Sequence, residues 1–369
     1  ADPSNYPDYV QYALDYALTV QNPDGEEINY SKEMLRLYFQ NEDPEFDLLF
    51  DSQEEGQSYV DRYKEAVLAD GGTVVAERVS FAPQPQSSMS VIDQHTGYVK
   101  AIIGGRGEKT ASLTLNRATD TTRQPGSTFN NASKSYGGTT TIRQAIQNSI
   151  NVVAVKCLEE VTPELGLQYL DNFGFTTLAH GTEADRDADG TVWTDANLPM
   201  ALGGLTHGVT NVELCAAYAA IANNGNYIEP IYYTKILDHN GNVLIEKNSA
   251  GRSVIKESTA WLLTSAMEDV VNKGTGTACQ LDNMTVAGKT GTTDAYNDLW
   301  FVGYTPYYTC AVWSGFDNNE KLPEDARNFH KNLWKKVMTR IHEGLPDKDF
   351  DMPASVEKIS ICEETGLLP

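Results

Sequence analysis

Long apolar runs, an excess of basic residues and paired cysteines are all missing from this sequence. The longest apolar run, Leu214–Ala222, falls well short of the roughly 18 residues that a membrane helix needs, so no spanning segment is predicted within the chain. Lys and Arg number 28 against 51 Asp and Glu, a formal net charge of −23. This balance argues against nucleic acid or anionic lipid as a partner recognised by net charge.

Five cysteines occur, an odd number, and no two are spaced as Cys-x-x-Cys. This pattern argues against a structural zinc site, and we expect neither a metal nor a cofactor. The chain of 369 residues is long enough for about two domains. Its acidity is concentrated, because residues 1–80 hold 18 acids and only 5 bases. A separate N-terminal lobe or linker is therefore predicted.

The chain starts Ala1-Asp2-Pro3, without an initiator Met. We expect a processed terminus and a chain that is a fragment of a longer protein. The N-terminal lobe is predicted to be helical over residues 5–80. The expected helical face is Tyr9, Ala13, Tyr16, Ala17 and Val20. Within the lobe, helices are predicted over Lys32–Gln40, with Ser31 as the N-cap, and over Glu54–Leu68. An extended stretch is predicted over Thr73–Phe81, and a domain boundary at Ala82–Ser88.

Strand-like segments lie at both ends of residues 90–316, with helical segments between them. Strands are predicted at 90–93, 98–105, 285–293, 299–305 and 308–316. Helices are predicted at Ile142–Glu159, Asn211–Asn224, Ser258–Asn272 and Ala326–Glu343, and a hairpin turn at Asp238–Gly241. The pattern indicates an α+β fold, with an antiparallel sheet assembled from distant segments around a mostly helical middle.

Three short motifs carry candidate chemistry. In Gln124-Pro125-Gly126-Ser127, Pro and Gly precede a Ser that would open a helix, where the helix dipole favours a nucleophile or an oxyanion. Ser149 and Asn151 lie two residues apart near a helix end. Lys289-Thr290-Gly291-Thr292 lies on a strand where small residues let a substrate backbone approach. Taken singly, Ser127, Ser149 and Asn151 are better explained as helix-capping residues.

The order of the three motifs is more informative than any one of them. A nucleophilic Ser, a Ser-x-Asn element and Lys-Thr-Gly form one set in β-lactamases and penicillin-binding proteins. The surrounding sequence resembles the transpeptidase domain of class A, bifunctional penicillin-binding proteins over about residues 88–320. The resemblance is carried by the segments VIDQHTGYVKAIIGGR, LNRATDTTRQPGSTF, GGTTTIRQAIQNSINVVAVK, LPMALGGLTHGVTNVELCAAYAAIANNG and VAGKTGTTDAYNDLWFVGYTP.

The resemblance implies a role for each matching residue. Ser127 would attack the D-Ala-D-Ala bond of a peptidoglycan stem peptide, and Ser149 would relay a proton to the leaving amine. Asn151 would hold the substrate amide, with Lys289 as the lysine of the third motif. Thr290 and Thr292 would contact the terminal carboxylate of the peptide or of a β-lactam antibiotic, with Gly291 between them. The backbone N–H groups of Ser127 and Thr292 would form the oxyanion hole.

One position departs from the family pattern. A general-base lysine stands three residues after the nucleophile in the family, but that position here is Asn130, which cannot accept a proton at neutral pH. Lys134 would lie about 10 Å along the helix axis, too far to substitute. Only 22 positions separate Ser127 from Ser149. We therefore predict that the sequence omits a segment between about Phe129 and Lys134, and that this segment contains the general base.

Two classes of function remain open. The first is a serine D,D-transpeptidase, or less favoured a D,D-carboxypeptidase or β-lactamase of the same fold. The second is a catalytically impaired scaffold domain, as Asn130 would imply. The predicted domains are an acidic linker lobe over 1–87, a transpeptidase domain over 88–345 and a C-terminal extension over 346–369. The family also implies the extracytoplasmic face of the bacterial plasma membrane, with contact only through an N-terminal anchor outside this sequence.

Overall fold

The computed structural model describes residues 11–107, 114–126, 140–247, 250–293, 296–360 and 362. The chain forms two compact units. Unit 1 comprises residues 1–86, 106–114 and 316–326, and unit 2 comprises residues 87–105, 115–315 and 327–369.

Unit 1 contains a four-stranded antiparallel sheet and two helices. Its elements are β1 (Gln11–Gln21), β2 (Glu27–Ser31), α1 (Lys32–Gln40), β3 (Leu49–Phe50), α2 (Gln53–Leu68) and β4 (Thr73–Gln84). Strand β1 is central, with β2 and β3 paired along one edge and β4 along the other. Leu14, Tyr16, Leu18 and Val20 of β1 point into a core that also holds Leu35 and Phe39 of α1 and Val60 of α2.

The predicted helix at the start of the lobe is wrong, and the lobe is not purely helical. Residues 11–21 form β1, in which every second residue from Leu14 to Val20 is buried. The apolar residues of this stretch therefore repeat with the period of two that a strand requires. Ala13 and Ala17, which fit the helical pattern, lie on the less buried face of the strand. The predictions for α1, its Ser31 cap, α2 and β4 are confirmed.

Unit 2 is built around a five-stranded antiparallel sheet in the order β11-β12-β13-β5-β6. Its strands are β5 (Gln86–Ile92), β6 (Val99–Ile103), β11 (Ala287–Thr292), β12 (Asp298–Tyr304) and β13 (Thr309–Gly315). Between β6 and β11 lie five helices: α3 (Ile142–Asn148), α4 (Asn151–Val161), α5 (Pro163–Asn172), α6 (Asn211–Ala222) and α7 (Glu257–Lys273). The same part of the chain holds two small antiparallel pairs of strands, β7 (Asn226–Ile228) with β10 (Gly251–Ser253) and β8 (Lys235–Leu237) with β9 (Val243–Glu246). Helix α8 (Phe329–Ile341) follows β13.

Both faces of this sheet are covered. Trp300 and Val302 of β12 pack with α6 on one side, while Phe301 between them packs with Trp334 of α8 on the other. Every residue of β12 and β13 is buried as a result. The α+β sheet predicted from distant segments is confirmed. The predicted helix Ile142–Glu159 is in fact two helices, α3 and α4, because the chain turns at Ser149.

Candidate active site

The segment Arg123–Gly126, which leads to Ser127, is held in place on several sides. The backbone of Arg123 pairs with Val209 in both directions at 2.9 Å. The side-chain amide of Gln124 bonds the backbone N–H and carbonyl of Leu205, and the indole of Trp300 donates to the Gln124 carbonyl at 3.0 Å. The segment is therefore fixed to β12 and to the loop around Leu205.

Gly126 lies against the end of β11. Its φ of +50° is in the left-handed region, and a Cβ at this position would lie 2.6 Å from the carbonyl oxygen of Thr292. Glycine adopts this conformation without strain, and a residue with a Cβ could not approach Thr292 this closely. The chain therefore leaves Gly126 beside the backbone of Thr292. Ser127, Asn130 and Lys134, like the whole stretch 127–139, lie outside the described residues.

Ser149 occupies the turn between α3 and α4. Its backbone is left-handed, with φ 60° and ψ 56°, and its N–H caps the C-terminal end of α3. Glycine is the usual residue at such a cap, since a side chain in this conformation costs about 1–2 kcal/mol. The side chain of Ser149 is nonetheless buried, at 2% exposure. Residues held in strained backbone conformations of this kind cluster at functional sites.

Lys289 meets Ser149 in the interior of unit 2. It lies on β11 at 3% exposure, and its Nζ donates hydrogen bonds to Ser149 Oγ and, at 3.1 Å, to the Thr290 carbonyl. Burial lowers the pKa of Lys289 from 10.5 to about 7. Removing the amine from water disfavours its charged form, so an appreciable fraction is neutral near pH 7. The pair can therefore both donate and accept a proton at neutral pH.

Helix α7 brings these two residues together. It packs between α3 and β11. Arg143 of α3 bonds Asp269 of α7 at 3.0 Å and the carbonyl of Ser265 at 2.8 Å. Gly274, just after α7, lies so close to Gln147 that a Cβ there would be 2.3 Å from the Gln147 carbonyl. The C-terminal end of α3, and with it Ser149, is thus held beside β11.

The remaining predicted residues lie around this pair. Asn151 is the first residue of α4, and its Oδ1 is buried with no hydrogen-bond partner among the described residues. Thr290 Oγ1 lies 2.8 Å from Thr275 Oγ1. Gly291 is buried opposite Trp300, and Thr292, opposite Leu299, is partly exposed. Among the described strands, β11 pairs only with β12, so it forms an edge of the sheet.

Two features were not singled out from the sequence. Asp298 is 3% exposed and accepts a hydrogen bond from Trp313 Nε1 at 2.9 Å, while the Arg123 guanidinium lies 4.8 Å from the centre of a Trp313 ring. Burial raises the pKa of Asp298, an effect opposed by the Trp313 hydrogen bond and the charge of Arg123. Thr275 is the second feature. Its only sequence signal is the pair of glycines that flank it.

The described residues contain no group of three or more His, Cys, Asp or Glu side chains arranged to hold a metal. No helix in the same ranges combines the length and apolar character that a bilayer crossing requires.

Comparison with known sequences identifies relatives. Residues 129–339 match the family described as penicillin binding protein transpeptidase domain. The chain is 32% identical over 333 residues to penicillin-binding protein 1A of Clostridium novyi, covering 78% of this chain and 37% of that protein. It is 31% identical over 315 residues to penicillin-binding protein 1F of Bacillus subtilis, covering 74% of this chain and 41% of that protein. The chain therefore spans about two fifths of the length of these curated relatives.

Solved structures share the fold. The penicillin-binding protein PonA1 from Mycobacterium tuberculosis superposes with a TM-score of 0.62 at 23% identity, covering 73% of this chain and 80% of that chain. Penicillin-Binding Protein 1A from Haemophilus influenzae also gives 0.62, at 17% identity, covering 96% of this chain and 61% of that chain. The resemblance expected from the sequence motifs is confirmed by the family match and by these relatives. This chain belongs to the penicillin-binding protein transpeptidase domain family.

Proposed function

We propose that the chain is a serine D,D-transpeptidase domain that cross-links peptidoglycan stem peptides and is acylated by β-lactams. The observation that carries the proposal is the hydrogen bond from Lys289 Nζ to Ser149 Oγ, made by a buried amine whose pKa is about 7. A buried lysine with a pKa near neutrality is costly to keep and suited to proton transfer.

In the first step, Ser127 Oγ attacks the carbonyl carbon between the two D-Ala residues. The C–N bond breaks and an ester to Ser127 forms. The Ser127 hydroxyl proton passes to the general base predicted between Phe129 and Lys134, and the leaving amine takes up a proton. Because Lys289 donates into Ser149 Oγ, the hydroxyl proton of Ser149 is free to point away from Lys289 and toward that amine. Lys289 would then restore the proton to Ser149. In the second step, an acceptor amine attacks the ester, loses its proton and releases the Ser127 hydroxyl.

The donor peptide would lie along β11. Among the described strands, β11 has a neighbour on one side only, and an extended peptide can add to such an edge as a further strand. Thr290 and Thr292 share one face of β11 because side chains alternate along a strand, and we assign them to the terminal carboxylate. Asn151, whose buried Oδ1 has no partner in the described part of the chain, would hold the substrate amide.

The oxyanion hole would use the backbone N–H groups of Ser127 and Thr292. The proposal is supported by Gly126, the residue before Ser127 in the sequence, which lies beside the backbone of Thr292. Fixed donors of this kind stabilise the tetrahedral intermediate, and losing one typically costs about 10²–10³ in rate.

The general base remains a separate prediction. Asn130 and Lys134 lie outside the described residues, so the predicted omission between Phe129 and Lys134 is untested. Mass spectrometry of the intact natural protein, with peptide mapping across residues 124–143, tests it directly. A peptide that carries extra residues including a lysine supports the prediction. A mass that matches the printed sequence through this stretch contradicts it.

The biological setting follows from the family. PonA1 from Mycobacterium tuberculosis has been solved in complex with penicillin V, with a TM-score of 0.61 to this chain. We propose peptidoglycan stem peptides and β-lactams as partners, and the extracytoplasmic membrane face as the location. We also propose residues 1–87 as a linker lobe, 88–345 as the catalytic domain and 346–369 as an extension.

The decisive experiment is penicillin labelling. After exposure to benzylpenicillin, we expect a covalent adduct on Ser127, located by peptide mass spectrometry and absent from a Ser127→Ala variant. Slow release of the adduct supports a transpeptidase, and rapid release supports a β-lactamase. Protein that stays unmodified at high penicillin concentration contradicts the proposal and favours the scaffold.

A further inference from the structure

A short rigid loop places one side chain beside the proposed carboxylate site. The loop is Gly274-Thr275-Gly276, between α7 and β11. The N–H groups of both glycines bond the Val270 carbonyl, at 3.1 and 2.9 Å. A Cβ on Gly274 would lie 2.3 Å from the Gln147 carbonyl, and one on Gly276 would lie 3.3 Å from the Phe301 ring. Thr275 is therefore the one side chain that the loop presents.

The Thr275 hydroxyl reaches the residue assigned to the substrate carboxylate. Thr275 Oγ1 and Thr290 Oγ1 are 2.8 Å apart, a normal hydrogen-bond distance between hydroxyls. Thr275 is exposed, whereas Thr290 is partly buried. The Thr275 hydroxyl can therefore form further hydrogen bonds with solvent while it keeps its hydrogen bond to Thr290.

The direction of this bond determines what Thr290 can do. Each hydroxyl has one proton and two acceptor positions. If Thr290 donated to Thr275, its proton would not be available to an anion. If Thr275 donates to Thr290, the Thr290 proton is free to point at a carboxylate. A carboxylate at the site selects the second arrangement, because it accepts protons and offers none.

We propose that Thr275 is a positioning residue for recognition of the terminal carboxylate, acting through Thr290. This inference rests on the proposed function and adds a residue to its donor site. The chain Thr275 to Thr290 to carboxylate is cooperative, because a hydroxyl that accepts a hydrogen bond becomes a better donor. The carboxylate is present in both the bound substrate and the transition state. Its recognition should therefore affect the binding constant more than the acylation rate constant.

The test compares Thr275→Val, which keeps the shape of the side chain, with Thr275→Ser, which keeps the hydroxyl. The probes are benzylpenicillin and its methyl ester, with stopped-flow or competition assays that separate the dissociation constant from the acylation rate constant. For Thr275→Val we expect about fivefold weaker binding of the free acid. The ester should bind within twofold of its wild-type affinity, and Thr275→Ser should behave as wild type toward both probes.

A double-mutant cycle with Thr290→Val sharpens the test. Because Thr275 acts through Thr290, Thr275→Val should have no further effect in the Thr290→Val background. Equal losses with the acid and the ester would mean that Thr275 has only a structural role and would overturn the inference, as would unchanged binding of the acid. Failure of benzylpenicillin to modify wild-type protein is a different result. It overturns the proposed function, and this inference with it.

Discussion

The two large sheets of this protein differ in whether one face or both faces are covered by other parts of the chain. In unit 1, β1 buries alternate residues, and its outward face carries polar side chains such as Asp15. In unit 2, β12 and β13 are buried along their whole length. A sheet covered on one face can leave its charges in water. A sheet covered on both faces must place any charge in the interior, where its cost is much higher.

A cation on each sheet shows the consequence. Arg78 of β4 pairs with Asp15 at 3.1 Å while 70% exposed, and such surface pairs typically contribute less than about 1 kcal/mol. Lys289 of β11 is almost fully buried, and its pKa falls to about 7. The covered sheet thus converts an ordinary lysine into a group that exchanges protons at neutral pH, which the open sheet could not do.

The largest effect is expected from replacing the buried cation, Lys289. Lys289→Met should slow acylation by β-lactams by about 10²–10⁴-fold, because proton transfer through Ser149 is lost. It should also raise the free energy of unfolding, since a buried cation gives way to an apolar chain of similar length. Arg78→Met is the matched control and should change neither quantity appreciably. Equal acylation rates and equal free energies of unfolding for the two variants, measured by penicillin labelling and denaturant melts, would contradict the proposed difference between the sheets.

Truncating a core side chain of unit 1 tests whether that unit contributes to stability alone. Leu18→Ala should lower the free energy of unfolding by about 2.7–5 kcal/mol, because Leu18 is 1% exposed and leaves a cavity. Thr19→Ala, on the other face of β1, should cost less than about 1 kcal/mol. Neither change should alter the acylation rate in native buffer. A loss of acylation in folded Leu18→Ala protein would show that unit 1 contributes to the chemistry.

The pH dependence separates the two environments more finely. Above pH 7 the acylation rate should fall by about tenfold per pH unit as Lys289 loses the proton that it returns to Ser149, and below pH 7 it should level off. Lys289→Met should lack this inflection.

Stability should follow the same ionisation. Between about pH 7 and 10.5 the unfolded chain holds a proton on Lys289 that the folded chain has lost, so wild-type stability rises with pH in this window. The stabilising effect of Lys289→Met should therefore be greatest below pH 7, about 5 kcal/mol at most, and should vanish toward pH 10.5. Denaturant melts of both proteins across this range measure the effect. A stability difference between wild type and Lys289→Met that does not change with pH would argue against a lowered pKa of Lys289.

The smallest expected effect concerns the strained turn at Ser149. Ser149→Ala and Ser149→Gly both remove the hydroxyl, and both should slow acylation by a similar factor. Only glycine relieves the left-handed backbone, so Ser149→Gly should be about 1 kcal/mol more stable than Ser149→Ala. Thermal melts of the two variants decide this. Equal stabilities would mean that the turn relaxes when the hydroxyl is absent.

The sequence predicted the large elements well and failed where two periodicities overlapped. Strands β11, β12 and β13 were predictable because each is a short apolar run bounded by turn residues. The start of unit 1 was not, since alanines at positions 13 and 17 fit a helix as well as a strand. The outcome depended on Leu14, Leu18 and their neighbours packing against α1 and α2, which are distant contacts that a local pattern does not contain.

The candidate site divides in the same way. The sequence by itself determined the residue types, their order and the family, because Ser-x-Asn and Lys-Thr-Gly-Thr are local motifs in a long matching context. Only the tertiary structure decided that Lys289 is buried against Ser149, that its pKa is about 7, and that Thr275 touches Thr290. These properties depend on groups up to 140 positions apart along the chain. The Lys289 amine is removed from water only when the folded chain covers both faces of the sheet.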